Sequence, residues 1–218
     1  MEESTSREKI LKNVRNALMN KHENPFQSIE FESDIYHNAD DSLDINFAKA
    51  FTEADGQFVY CEAPADFPSN LKFLMEQRGW KEVFCLDKSI QYALENAKIT
   101  FKSAEEDFLK MKVGITRCEF LISRLGSIMV SSKQCEGRRM NAFPEIQIVF
   151  AFSSQLVPDL KDALKEIQKK YQDQLPSMIS VITGPSRTAD IEKTLVMGAH
   201  GPKELFVFLI DDTVDTNY

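Results

Sequence analysis

Thr183-Gly184-Pro185-Ser186-Arg187-Thr188-Ala189-Asp190-Ile191-Glu192-Lys193-Thr194-Leu195-Val196-Met197-Gly198-Ala199-His200-Gly201-Pro202-Lys203-Glu204 is the stretch on which the reading of this chain turns. An apolar run, Met178 to Ile182, enters a Gly-Pro turn. A hydroxyl-rich loop with one arginine follows, then a segment expected to be a short helix. A second turn around Gly201-Pro202 leads into a very apolar run, Leu205 to Ile210. Strand, polar loop and helix N-terminus is the arrangement in which α/β proteins commonly bind ligands.

Upstream, helix and strand signals alternate. Phe58 to Cys61 reads as a strand, Asn70 to Arg78 as a helix ended by Gly79, Val83 to Leu86 as a strand and Ser89 to Ala97 as a helix. Ile99 to Phe101 is a brief strand, and Ser103 with Glu106 forms a capping pattern for a short helix. Such alternation implies crossover connections and a mainly parallel sheet with helices on both faces. Between Val113 and Ser132 two strand-like runs flank a turn at Leu125-Gly126, and Ile146 to Phe152 is a third. With no helix between them, these are expected to be antiparallel or hairpin-connected. Pro158 is expected at the first position of a helix whose Leu160, Ala163, Leu164, Ile167 and Tyr171 form one stripe.

The division that follows is an N-terminal helix and polar arm over residues 1–44, an α/β domain over 45–212 and a polar tail over 213–218. The first helix opens on a Thr5/Glu8 capping box and carries Leu11, Val14 and Leu18 as an apolar stripe, expected to face the chain's own core.

Composition excludes several classes. The 218 residues carry a net charge of −8, with 43% hydrophobic and 28% charged residues. An acidic surface repels phosphate backbones, and no basic patch is visible, so no nucleic-acid partner is expected. The four cysteines, Cys61, Cys85, Cys118 and Cys135, form no C-x-x-C pair, and no histidines have metal-ligand spacing. No metal or iron–sulfur cluster is therefore expected within this chain. The charged N-terminus has no apolar signal core, and no apolar run is long enough for a membrane span, so a cytoplasmic location is expected. Nucleotide-loop and serine-hydrolase signatures are absent.

Two readings of the loop stand side by side. In one, Thr188 caps the following helix and Asp190 and Glu192 complement its dipole. In the other, Gly184, Ser186, Arg187 and Thr188 cradle a carboxylate or phosphate. Asp190 and His200 are then the candidates for proton handling. Gly126 and Ser127 mark a turn or a ligand contact. Arg138 and Arg139 form either a solvated pair or an anion clamp.

The run Gly184 to Glu192, with His200-Gly201-Pro202-Lys203-Glu204-Leu205, closely resembles the C-terminal signature of the lactate-utilisation (LUD) domain family, LutC/YkgG type. Val113 to Thr116, Leu125-Gly126-Ser127, and Gly137-Arg138-Arg139 with Pro144 resemble its earlier motifs. Family members often have an acidic residue and a threonine before the middle glycine, where this chain has Arg124 and Leu125, at an expected pocket edge. They often have histidine at the position of Gln147. The resemblance implies a NagB/RpiA/CoA-transferase-like α/β fold. It also implies a part in oxidising L-lactate to pyruvate beside iron–sulfur partner proteins that hold the clusters. Two other functions stay open: a stand-alone enzyme with a sugar-phosphate or CoA-transferase-like pocket, and a non-catalytic assembly protein.

Overall fold

The computed structural model describes residues 5–19, 41–135, 137–191, 194–198 and 201–212. The chain divides into two units, Met1–Asn38 and Ala39–Tyr218. The first contains α1 (Ser6–Met19). Its capping box forms as expected: Thr5 N–H donates to Glu8 Oε2 at 2.8 Å, and Glu8 N–H to Thr5 Oγ1 at 3.3 Å. Among the described residues of α1 none is buried.

The second unit runs through α2 (Leu43–Glu53), β1 (Gln57–Cys61), α3 (Asp66–Arg78), β2 (Val83–Cys85), α4 (Lys88–Asn96) and β3 (Phe101–Lys102). It continues through β4 (Val113–Arg117), β5 (Phe120–Ile122), β6 (Ser127–Ser131), β7 (Ile146–Phe152), β8 (Leu156–Val157) and α5 (Leu160–Tyr171). The last elements are β9 (Ile179–Ile182), β10 (Arg187–Ile191), β11 (Thr194–Met197) and β12 (Glu204–Ile210). The expected parallel sheet is present, with six strands in the order β1-β12-β7-β4-β2-β3. Every neighbouring pair in it is parallel. A second sheet, β8-β5-β6-β9, holds the antiparallel pairs β5/β6 and β6/β9.

Alternation along the strands sorts the core into two faces. Ile148 and Phe150 of β7 and Phe206 and Phe208 of β12 meet α3 and α4 through Phe67, Leu71, Ile90 and Leu94. Val149, Ala151, Val207 and Leu209 face the other way, onto Phe47 and Phe51 of α2 and Leu121, Ile128 and Val130 of the second sheet. The outer face of that sheet, Ile122 and Met129, is covered by Ala163 and Ile167 of α5. The α2 helix is not among the expected elements. Phe47 and Phe51 are one helical turn apart, stack at 5.3 Å and are fully buried, so a single pair anchors it.

Four local expectations are corrected. The segment after Arg187 is a β-hairpin, β10 against β11, and not a helix. Thr188, Ile191, Thr194 and Val196 are β-branched, and that stiffness favours the pleated conformation. Thr188 therefore caps no helix. β4 is not part of a hairpin with β7; the two lie parallel in the main sheet, and the chain reaches β7 by way of β5 and β6. Glu105–Lys110 is a 3-10 helix that begins from Ala104 without a side-chain cap, so Ser103 does not cap it. Pro158 lies one residue before the cap of α5, which is Asp159.

Candidate functional site

The described residues of the signature that lead into β12 lie at the end of the main sheet where its strands begin. Ser186 N–H donates to Pro202 O at 2.8 Å, and Gly198 N–H donates to Ser186 O at 2.9 Å, so the two turns of the signature clasp each other. Arg187 reaches back to the end of α2, where its Nη2 donates to Ala54 O at 3.0 Å and pairs with Asp55. Gly184 has φ +70°, and a Cβ there would sit 2.1 Å from Ala54 O, so only glycine fits. The Ser127 hydroxyl lies 2.7 Å from Thr183 Oγ1 and is fully buried. Gly126 presses on α2, where a Cβ would stand 2.3 Å from Phe51 N. Gly126, Ser127, Gly184, Ser186 and Arg187 are thus gathered around the C-terminal end of α2. The backbones of Thr188 and Asp190 lie in β10, while His200 falls outside the described residues.

Arg138 and Arg139 point to different partners. Arg138 Nη2 donates to Ser177 Oγ at 2.6 Å. Arg139 pairs with Glu105 at 2.6 Å and lies over the Phe108 ring at 4.0 Å. The two departures from the family pattern also have partners. Arg124 makes a two-pronged ion pair with Asp159, at 2.9 and 2.8 Å, and its N–H donates to Pro158 O. Arg124 thus clips the start of α5. The hydrogen bonds from Arg124 and from the Leu160 N–H, with the Arg124 charge, outweigh burial and hold the Asp159 carboxyl below its ordinary range. Gln147 is fully buried; its Nε2 donates to Thr116 Oγ1 at 3.0 Å and to Asn141 Oδ1 at 3.1 Å, and its Oε1 has no partner among the described residues.

At the opposite end, where the parallel strands finish, is a cavity of about 420 Å³ that the sequence did not disclose. Two strands leave the main sheet there and enter the second one. The chain crosses from β4 to β5 at Cys118-Glu119, and from β7 to β8 through Ser153–Gln155. Gln155 Nε2 ties the crossings together by donating to Cys118 O at 2.7 Å and Glu119 O at 3.2 Å. The cavity also lies at the switch point of the topology. From β2 the chain moves outward to β3, whereas from the adjacent β4 it moves the other way, to β7. Open α/β sheets form their ligand crevice between such strands, beyond their carboxyl ends.

Charge is concentrated here. Asp87 caps α4, accepting from Ser89 N at 2.9 Å and Ile90 N at 3.0 Å, and pairs with Arg117 Nε at 2.7 Å. Burial alone would raise the Asp87 carboxyl; the hydrogen bonds from Arg117, Ser89 and Ile90, with the Arg117 charge, hold it at about 2. The Arg117 guanidinium lies 5.1 Å from the Phe150 ring. Glu119 is buried, and accepts from Ser131, from Tyr171 Oη at 2.8 Å and from Lys170 Nζ at 2.7 Å. Desolvation would raise its carboxyl, yet those three donors keep it below the ordinary carboxylate range. These residues stand at 87, 117, 119, 170 and 171, each beside unremarkable neighbours, so no local motif marks them.

A larger cavity of about 680 Å³ lies at the starting end, between Trp80, Lys102, Lys112 and Glu145. None of its charged side chains is buried, so it has size without a built polar wall. Among the described residues, no group of three or more His, Cys, Asp or Glu is placed to hold a metal, and no helix is long and apolar enough to cross a membrane. Cys61, Cys85 and Cys118 are buried and Cys135 is exposed, and none of the four is in a disulfide among the described residues.

Parallel strands, a crevice at the switch point of the sheet and a clasped signature segment define an α/β protein with a mainly parallel sheet. The model of the LUD domain matches residues 47–210, and the chain belongs to that family. "Lactate utilization protein C 1" of Bacillus mycoides (strain KBAB4) is 34% identical over 113 residues, 50% of this chain and 48% of the relative. "Lactate utilization protein C" of Bacillus subtilis (strain 168) is 32% identical over 157 residues, 68% of this chain and 63% of the relative. "Uncharacterized protein YkgG" of Escherichia coli (strain K12) is 32% identical over 103 residues, 46% of this chain and 45% of the relative. The chain spans about half the length of most of these curated relatives. The crystal structure of a DUF162 family protein from Deinococcus radiodurans has the same fold, with a TM-score of 0.58 at 14% identity, over 77% of this chain and 96% of that one.

Proposed function

We propose that this chain acts in lactate utilisation, as a LutC-like subunit that works beside iron–sulfur partner proteins in the oxidation of L-lactate to pyruvate. The observation that carries this reading is the family match across residues 47–210, with relatives named lactate utilization protein C. In this proposal the small carboxylate is held at the Ser186–Asp190 segment, where the turn runs into β10. Two backbone hydrogen bonds fix Ser186, and both contacts of Arg187 to the end of α2 fall on Nη2. A guanidinium has five N–H donors, so Nε and Nη1 can serve an anion without breaking them. Asp190 and His200 are proposed to handle the proton.

The test has two arms. Affinity capture of the full chain from its native cell brings down iron–sulfur proteins, and the captured assembly oxidises L-lactate. In direct titration, Arg187→Ala weakens binding of L-lactate or pyruvate at least about tenfold, the loss expected for a charge-assisted bond. Capture without iron–sulfur proteins or lactate oxidation sinks the pathway role. Unchanged affinity in Arg187→Ala sinks the role of the loop.

A further inference from the structure

The cavity where the parallel strands end has no part in the reading above, yet it is better built than the larger one at the starting end. Its walls carry Asp87, Arg117, Glu119, Lys170 and Tyr171, with the Phe152 ring beside them. The Glu119 side chain is 1% exposed and that of Lys170 is 51% exposed. The carboxylate is therefore dry, while the ammonium it holds stays open to solvent. Removing a carboxylate from water is costly, and three donors, one of them the charged Lys170, compensate it here. The result is a lysine and a tyrosine pinned at the rim of a crevice.

Hydrogen-bond capacity fixes the sign of what fits. Every carboxylate oxygen on the wall already accepts. Asp87 Oδ1 takes Ser89 N and Ile90 N, and Oδ2 takes Arg117 Nε. Glu119 Oε1 takes Ser131 Oγ and Tyr171 Oη, and Oε2 takes Lys170 Nζ. An ammonium has three donors, and Glu119 uses one of them. Tyr171 spends its one O–H on Glu119, so the unused donors are those of Lys170, and they call for a ligand with acceptor oxygens. A volume of about 420 Å³ lies within the range of small-molecule sites and exceeds the need of a bare ion.

We propose that this crevice binds a small molecule with an anionic oxygen head group, a carboxylate or a phosphate monoester, received by Lys170 and packed against Tyr171 and Phe152. Glu119 is a positioning residue: it touches no ligand and sets where the ammonium stands. The site is separate from the Ser186–Asp190 loop, at the other end of the sheet, and does not depend on the lactate reading.

The experiment is calorimetry combined with amide NMR on the full chain, with L-lactate, pyruvate, inorganic phosphate and glucose 6-phosphate as separate probes. At least one probe binds and shifts the amides of Arg117, Glu119, Gln155 and Lys170. Lys170→Met risks stranding the Glu119 charge, so it is paired with a Glu119→Gln, Lys170→Met double variant that removes the ion pair as a neutral unit. The double variant keeps the fold by circular dichroism and loses at least about tenfold in affinity, whereas Lys170→Arg retains most of it. Binding of the carboxylates alone or of the phosphates alone names the head group, and either supports the site. The proposal is overturned if no probe binds at about 10 mM, if the double variant binds like the parent, or if the shifts are confined to Ser186 and Arg187. That last result would leave the loop reading standing by itself.

Discussion

The two ends of the six-stranded sheet are built on opposite principles. Where the strands begin, backbone packs on backbone: Gly126 and Gly184 sit where a Cβ would collide with the last turn of α2. Where the strands finish, side chains do the work: Asp87 with Arg117 and Glu119 with Lys170 set charge against charge around a cavity. Around the last turn of α2 there is little room for another atom, whereas the charged pairs at the finishing end surround a cavity. A densely patterned sequence stretch therefore marks tight packing as readily as it marks chemistry.

The largest effect should come from breaking the packed end. Gly126→Ala places a methyl 2.3 Å from Phe51 N in a backbone with φ +56°. Left-handed strain and overpacking together should cost about 3–5 kcal/mol, read as a lowered urea midpoint. A change within experimental error would mean that α2 can move aside and that this end is not rigid.

A smaller effect probes the charged end. Asp87→Asn keeps the cap on α4, since asparagine caps well, but ends the charge pair with Arg117. A loss of about 1–2 kcal/mol at neutral pH follows from a hydrogen-bonded, half-buried ion pair. The pH dependence has a definite sign. The folded carboxyl titrates at about 2, below its ordinary 3.8, so its stabilisation is complete above the unfolded value and fades as pH falls from there toward 2. Melting temperatures across that range should fall less steeply in Asp87→Asn than in the parent. Identical slopes would show that other carboxylates govern the acid limb.

The smallest effect belongs to Arg124→Ala, about 0.5–1 kcal/mol, because its pair with Asp159 is partly exposed. The same variant should leave anion titrations untouched. Altered ligand affinity would return Arg124 to a pocket edge and blur the contrast between clip and site.

The difference between the two ends also explains what the sequence disclosed. Alternating apolar runs were enough for the parallel sheet, because β7 and β12 are buried on both faces and must be apolar along their length. The Gly79 stop and the Thr5/Glu8 box were legible because capping is local. The β10/β11 hairpin was misread, since Asp190 and Glu192 suggested a helical first turn while the β-branched residues around them set the backbone. The charged cavity was invisible for a different reason. Glu119 and Lys170 meet across 51 positions, and only the tertiary fold brings them together.

The paired crossings from β4 to β5 and from β7 to β8 have a consequence for how the molecule comes apart. Each carries one continuous chain out of the larger sheet and into the smaller within a few residues, and Gln155 bridges them. Peeling the smaller sheet away would drag on the two central strands, β4 and β7, of the larger one. The two sheets therefore melt as one cooperative unit, and the protection of amides in β6 against hydrogen exchange should follow that of β7 rather than that of a separable layer.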